Sequence, residues 1–229
     1  MAQPRKPSRT RERGDRRKEE ILATAVRLFG ERGYQGTSLD DVASAVGITR
    51  AGVLHHYASK QQLLWAVLEE RDRAGDQRVL PTISGGDLGF LDGFIEIMRN
   101  NVHEPALVQL YVLLLAEGVP ENHPAHDHFA TRYRLLGRRV AQMLRADQVA
   151  GRIRPDVDIQ VVEPILGAVI DGLLVRFLYD PQGFDLVASY RMFVDVIRAF
   201  LVPSPTTPPT DASVDTGTIV ASARGGAEP

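Results

Sequence analysis

The sequence predicts an all-α protein: an N-terminal three-helix helix-turn-helix unit followed by a larger helical body. Three observations predict it. Apolar residues recur at helical spacing in segment after segment, no alternating strand pattern competes, and the breaks between segments carry Pro or Gly.

Residues 1–14 lack apolar periodicity and are expected to form a disordered basic arm. The first helix is expected from Asp15 to Arg32, with Ile21, Leu22, Ala25, Leu28 and Phe29 on one face and Gly33 closing it. Ser38 is placed to cap a second helix whose apolar positions Leu39, Val42, Ala43 and Val46 again share a face. Gly47 supplies the left-handed backbone that ends it, and Ile48 folds back onto its last apolar turn. Thr49 caps a third, short helix. Its apolar face is Val53, Leu54 and Tyr57, which leaves Arg50, Ala51, Gly52, His55 and His56 to look outward. A glycine inside a helix costs about 1 kcal/mol relative to alanine, so something other than helix stability favours Gly52. Ser59 with Gln62 has the form of a capping box and starts the fourth helix at Lys60, with Leu63, Leu64, Val67 and Leu68 inward.

Beyond a glycine-rich loop from Pro81 to Gly89, helices are expected over Phe90–Asn101, Pro105–Gly118, Ala125–Ala150, Asp158–Leu178 and Asp185–Leu201. Pro105 suits a first turn, whereas Pro164 falls inside a helix and is expected to kink it. Residues 203–229, rich in Pro, Ser, Thr, Ala and Gly, are expected to be a disordered tail. The domains are therefore 1–14, 15–62, 63–202 and 203–229. The helix around Ile165, Leu166, Val169, Ile170, Leu173, Leu174, Phe177 and Leu178 is apolar over more than one stripe. With Phe193, Val196, Ile197, Phe200 and Leu201 on the last helix, it predicts a homodimer interface.

The chain has no cysteine, which excludes disulfides, thiolate metal sites and cysteine nucleophiles. No apolar stretch approaches the roughly 20 residues needed to cross a bilayer, and no signal-peptide apolar region is present, so a cytoplasmic protein without membrane contact is expected. The net charge of −2 hides an asymmetry: up to Lys60 twelve basic residues face seven acidic ones, +5, which leaves −7 for the rest. A basic end on an acidic body is the footprint of a module that meets phosphate at one end only.

The stretch from Ile21 to Leu64, with Tyr34-Gln35-Gly36, Thr37-Ser38, His56-Tyr57 and Ser59-Lys60 at matching spacing, resembles the DNA-binding domain of the TetR family of bacterial transcriptional regulators. It departs where the family usually carries a phosphate-contacting tyrosine, a position held here by Leu54. The resemblance implies double-stranded DNA as partner, a pseudo-palindromic operator, and a body that dimerises and holds a small effector. Thr37, Tyr57 and Lys60 are the expected phosphate anchors. Ser38 and Thr49 offer helix N-termini, Arg50 and His55 are expected to reach bases, with a phosphate as the alternative for Arg50, Ala51 and Gly52 make close contact, and by the resemblance His56 points to the backbone.

The expected function is a repressor released by a largely apolar effector, with a transcriptional activator as the alternative. Phe94, Met98, Leu107, Tyr111, Leu114, Phe129, Tyr133 and Phe177 are candidate lining for the effector, and Asp171 is a polar anchor. A metal-responsive regulator using His123, His126 and His128 is the second alternative; the bland reading is a polar loop with solvated imidazoles, and no metal or cofactor is expected. No nucleophile elbow, phosphate-binding glycine loop or zinc-binding helix accompanies the Ser, His and Asp residues, so no enzyme is expected.

Overall fold

The computed structural model describes residues 9–79 and 88–203; the expected tail, most of the loop and residues 1–8 lie outside the described residues. Among the described residues every regular element is a helix, in the order α1 Arg9–Arg32, α2 Leu39–Val46, α3 Arg50–His56, α4 Lys60–Val79, α5 Gly89–His103, α6 Pro105–Glu117, α7 His126–Val149, α8 Ile159–Tyr179 and α9 Leu186–Leu201. The expected boundaries agree within two residues except at two helix ends. α1 begins six residues before Asp15, inside the expected arm, and α4 continues to Val79. α8 runs unbroken through Pro164.

The N-terminal unit closes on Ile21, Ala25, Leu28 and Phe29 of α1, which meet Val42, Val53 and Leu63–Leu64 from the three following helices. Each fully buried aliphatic or aromatic side chain of this kind contributes about 1.5–3 kcal/mol. Only Val53 of α3 is buried. Leu54, expected inward, is turned to solvent, because a seven-residue helix has room for a single core contact between Thr49 and Tyr57. In the body, Leu186, Tyr190, Val194, Ile197 and Leu201 form one buried stripe of α9 against α5 and α8.

Two polar anchors hold the body together. Asp147, buried on α7, accepts from the Leu88 backbone N–H at 3.0 Å and from Arg152 Nε at 2.8 Å, which fastens the start of α5 to the α7–α8 turn. Gln148 Nε2 donates to the Arg154 and Val157 carbonyls at 3.0 and 2.9 Å.

The two ends of the molecule meet along α1 and α6. Glu117, the last residue of α6, accepts from the Tyr34 N–H at 2.7 Å and the Gln35 N–H at 3.4 Å, in the turn between α1 and α2. Gly33 makes this possible: its φ is +74°, and a Cβ there would lie 2.3 Å from Glu117 Oε1.

Candidate nucleic-acid interface and effector cavity

The α2–α3 unit is rigid for local reasons. Ser38 Oγ accepts from the Asp41 N–H at 3.1 Å while Asp41 Oδ2 accepts from the Ser38 N–H at 2.7 Å, a reciprocal capping box. At the other end of α2, Gly47 has φ +73° and the Ile48 N–H reaches back to the Ala43 carbonyl at 3.0 Å. Thr49 Oγ1 then accepts from the Gly52 N–H at 3.1 Å and starts α3.

This scaffold leaves Thr49, Arg50, Ala51, Leu54 and His55 exposed on α3 and its cap. Arg50 Nη1 lies 3.0 Å from Asp40 Oδ2, an exposed ion pair that aims the guanidinium along the α2–α3 edge. A shallow groove beside it is bounded by Ser38, Arg50, Leu54, Ser59 and Lys60, so the starts of α2 and α4 open onto the same depression. At its rim the Lys60 Nζ stands 4.1 Å above the Tyr34 ring, and burial pushes this ammonium's pKa down against the opposing pull of Glu117 and Asp41. His56 is half-buried, edge-on to His55; burial first, then the charges of His55, Lys18 and Arg17, lower its pKa and favour the neutral ring.

Two expected phosphate anchors face the other way. Thr37 is 1 % exposed, and its hydroxyl donates to the Gly33 and Leu28 carbonyls at 2.9 and 3.2 Å, satisfying the end of α1. Tyr57 is 3 % exposed; its hydroxyl lies 3.4 Å from the Lys18 carbonyl, against α1. Sequence reasoning missed Asp40, since no spacing rule pairs it with Arg50 ten residues on.

The body encloses a cavity of about 200 Å³ between the end of α4 and helices α5 to α8. Phe94, Met98, Leu107, Tyr111, Tyr133 and Asp171 line it, as expected from the sequence. Leu114, Phe129 and Phe177 do not: they are 1, 5 and 3 % exposed and belong to the core around it, Phe129 edge-on to Tyr111. Asp171 accepts from the Tyr111 hydroxyl at 2.8 Å and from the Tyr133 hydroxyl. Burial, reinforced by the Asp171 charge, pushes Tyr111 up to about 12. Tyr133 is raised as well, by burial and its hydrogen bond to Asp171, so both phenols stay protonated donors.

Sequence reasoning missed Arg71 and Arg132, which also line the cavity. Both pair with Asp72 Oδ1, at 3.0 and 2.9 Å, and Arg71 stacks 4.0 Å from the centre of the Tyr111 ring. Neither residue is marked by spacing or motif in the sequence.

The three histidines of the α6–α7 connection go separate ways. His123 is buried edge-on to Tyr34, and its Nδ1 accepts from the Ala125 N–H at 3.2 Å. His126 Nδ1, 3.0 Å from the Gly118 carbonyl and 3.1 Å from that of Val119, carries the proton and donates. His128 Nε2 lies 3.2 Å from Asp72 Oδ2. Among the described residues no group of three His, Asp or Glu side chains is arranged to hold a metal ion, and the metal-responsive alternative gains no support.

An exposed short helix, capped and braced at the end of a helical body, defines a helix-turn-helix DNA-binding regulator. Residues 21–67 match the family of bacterial regulatory proteins of the tetR type. The chain is 28 % identical to the transcriptional repressor AcnR of Corynebacterium diphtheriae over 165 residues, covering 70 % of this chain and 80 % of that protein. With the transcriptional regulator AcrR of Shigella flexneri it is 25 % identical over 204 residues, covering 86 % and 95 %. A TetR transcriptional regulator from Chloroflexus aurantiacus has the same fold, with a TM-score of 0.71 at 20 % identity over 83 % of this chain and 98 % of that one. The chain thus carries a TetR-type DNA-binding unit and is similar over most of its length to transcriptional repressors and regulators. Among the described residues no helix is long and apolar enough to cross a membrane.

Proposed function

We propose that this regulator is a cytoplasmic, homodimeric repressor that leaves its operator when a small effector fills the body's cavity. The observation that carries the reading is the presentation of α3, whose exposed Arg50, Ala51 and His55 are held between a Gly47 turn and a Thr49 cap. Repression is supported by AcnR, a relative named as a repressor. Arg50 and His55 are assigned to base edges, Lys60 and the Ser38 and Thr49 helix starts to phosphates, and Ala51 and Gly52 to close approach. The DNA-binding unit is taken as 15–62 and the effector-binding and dimerising unit as 63–202.

The dimer reading is supported by a stripe on α8. Val161, Ile165, Ala168, Gly172, Val175 and Tyr179 are all exposed and follow each other by four and three residues alternately. That is the spacing of a helix seam that meets another helix. Met192, Val196 and Phe200, exposed on the adjacent α9, extend it, and two such copies close a four-helix interface. A two-fold dimer carries two recognition helices, so the operator is pseudo-palindromic with half-sites about one helical turn of DNA, or a multiple of it, apart.

Release follows from shared parts. α4 begins beside the groove at Lys60 and carries Arg71 to the cavity, while Glu117 ties α6 to the turn before α2. An effector that favours one placement of these helices over another shifts the spacing of the recognition helices; one with equal affinity for both shifts nothing. Selection from a random duplex pool with the full-length protein tests the proposal. It is expected to return a two-fold site whose affinity falls steeply with salt, as counterion release requires. Failure to enrich any duplex at low salt would overturn it.

A further inference from the structure

The cavity's charges are unevenly matched, and the mismatch identifies what it takes up. Its walls are mostly apolar, from Met98, Leu107, Val140, Leu166, Ile170 and Leu174. At the α4 end Arg71 and Arg132 share the one carboxylate of Asp72, and Arg71 is also covered by the Tyr111 ring. The α8 wall is different. Asp171 accepts hydrogen bonds from Tyr111 and Tyr133, but these are neutral phenols that bring no positive charge. Glu163, two turns earlier on the same helix, lines the cavity opposite Gly137, where a Cβ would fall 2.6 Å from Glu163 Oε1. Among the described residues neither carboxylate has a guanidinium, ammonium or imidazole within 4 Å.

Two half-buried carboxylates that form no ion pair are costly to dehydrate. Filling the cavity removes the water that supports them. A neutral ligand leaves that cost standing, and an anion adds repulsion to it. A cation removes it. Gly167, one turn from each carboxylate, also lines the cavity, and nothing lies within 4 Å of where its Cβ would be, so the space along the acidic wall is open.

We infer that the effector is an organic cation, an amine or quaternary ammonium on a compact apolar body, with its charge against Asp171 and Glu163 and its body among Met98, Leu107 and Leu174. This rests on the proposal that the cavity is the effector site, and it replaces a merely apolar effector with a charged one.

Calorimetric titration of the full-length protein with three probes of matched size tests it: benzyltrimethylammonium, 3-phenylpropanoate and 4-phenylbutan-1-ol. The cation is expected to bind about tenfold or more tightly than the other two. Asp171→Asn is expected to weaken the cation about tenfold and to bring the three probes close together, with a smaller loss in Glu163→Gln. Because Asp171 also holds two tyrosines, Glu163→Gln, whose side chain makes no hydrogen bond among the described residues, serves if the first variant melts early. Gly167→Leu, which fills the cavity, is expected to abolish binding. Tightest binding by 3-phenylpropanoate, lost in Gly167→Leu, would overturn the cationic assignment and leave the effector cavity standing. A cation whose affinity ignores the acidic variants would overturn the assignment as well. Binding by none of the three, or binding indifferent to Gly167→Leu, would overturn both the assignment and the cavity as effector site.

Discussion

The recognition unit and the cavity are built on opposite plans. Between Ser38 and Gly52 nearly every constraint comes from a residue three to five positions away: Ser38 with Asp41, Ala43 with Ile48, Thr49 with Gly52. The polar groups of the cavity come from all five helices α4 to α8, with Tyr111 and Asp171 sixty residues apart. A unit held by local caps keeps its shape when moved as a body. A cavity held by long-range polar contacts changes whenever one of its helices shifts. That difference suits a device in which a small molecule displaces helices at one end and a stiff reading head moves at the other.

The contrast breaks most visibly at Asp72, which compensates two arginines. Asp72→Ala leaves Arg71 and Arg132 facing each other inside the body, and a loss of about 3 kcal/mol is expected in urea denaturation. The equivalent deletion at the exposed Arg50–Asp40 pair should cost under about 1 kcal/mol. Burial raises the Asp72 pKa, but His128, Arg132 and Arg71 together outweigh it and hold the carboxyl below its usual range. With its folded pKa depressed, Asp72 contributes stability that is complete above the ordinary carboxylate pKa of about 3.9 and is lost as pH falls through the folded value. Asp72→Ala should therefore flatten the acid side of the stability profile.

Next in size is the tie between the two ends. Glu117→Gln weakens two hydrogen bonds to backbone N–H groups, one at 2.7 Å, and a loss of about 1–2 kcal/mol is expected. Its sharper effect is on communication: a bound effector should release DNA less completely in the variant than in the parent, measured by fluorescence anisotropy of a labelled operator. Unchanged release would remove Glu117 from the pathway.

The smallest effect separates stability from function at Gly52. A Cβ there meets Ile48 Cδ1 at 3.4 Å, an ordinary contact, so Gly52→Ala should stabilise α3 by about 0.5–1 kcal/mol. If α3 approaches DNA closely at this residue, the same change lowers operator affinity while raising the melting temperature. Higher stability with unchanged affinity would place Gly52 away from the duplex.

What the sequence disclosed follows the same division. Caps and helix stops act over a turn or two, so Ser38, Gly47, Thr49 and the ends of α6 to α9 were legible, as was the presented α3. Periodicity names a buried face but not its neighbour. Hence Leu114, Phe129 and Phe177 were read as cavity lining and are core, while Arg71 and Arg132 were not singled out. Thr37 and Tyr57 were read as phosphate anchors; their hydroxyls serve α1 instead, a task visible only once α1 is in place. Leu54 shows the limit of a hydrophobic pattern over seven residues.

The central claim is that α3 reads sequence through Arg50, and the ratio of affinities for the selected operator and a scrambled duplex measures it directly. In Arg50→Ala that ratio should fall by the equivalent of about 1–3 kcal/mol, whereas Lys60→Ala should weaken both duplexes alike. An Arg50→Ala protein that keeps the parent's ratio would contradict the account.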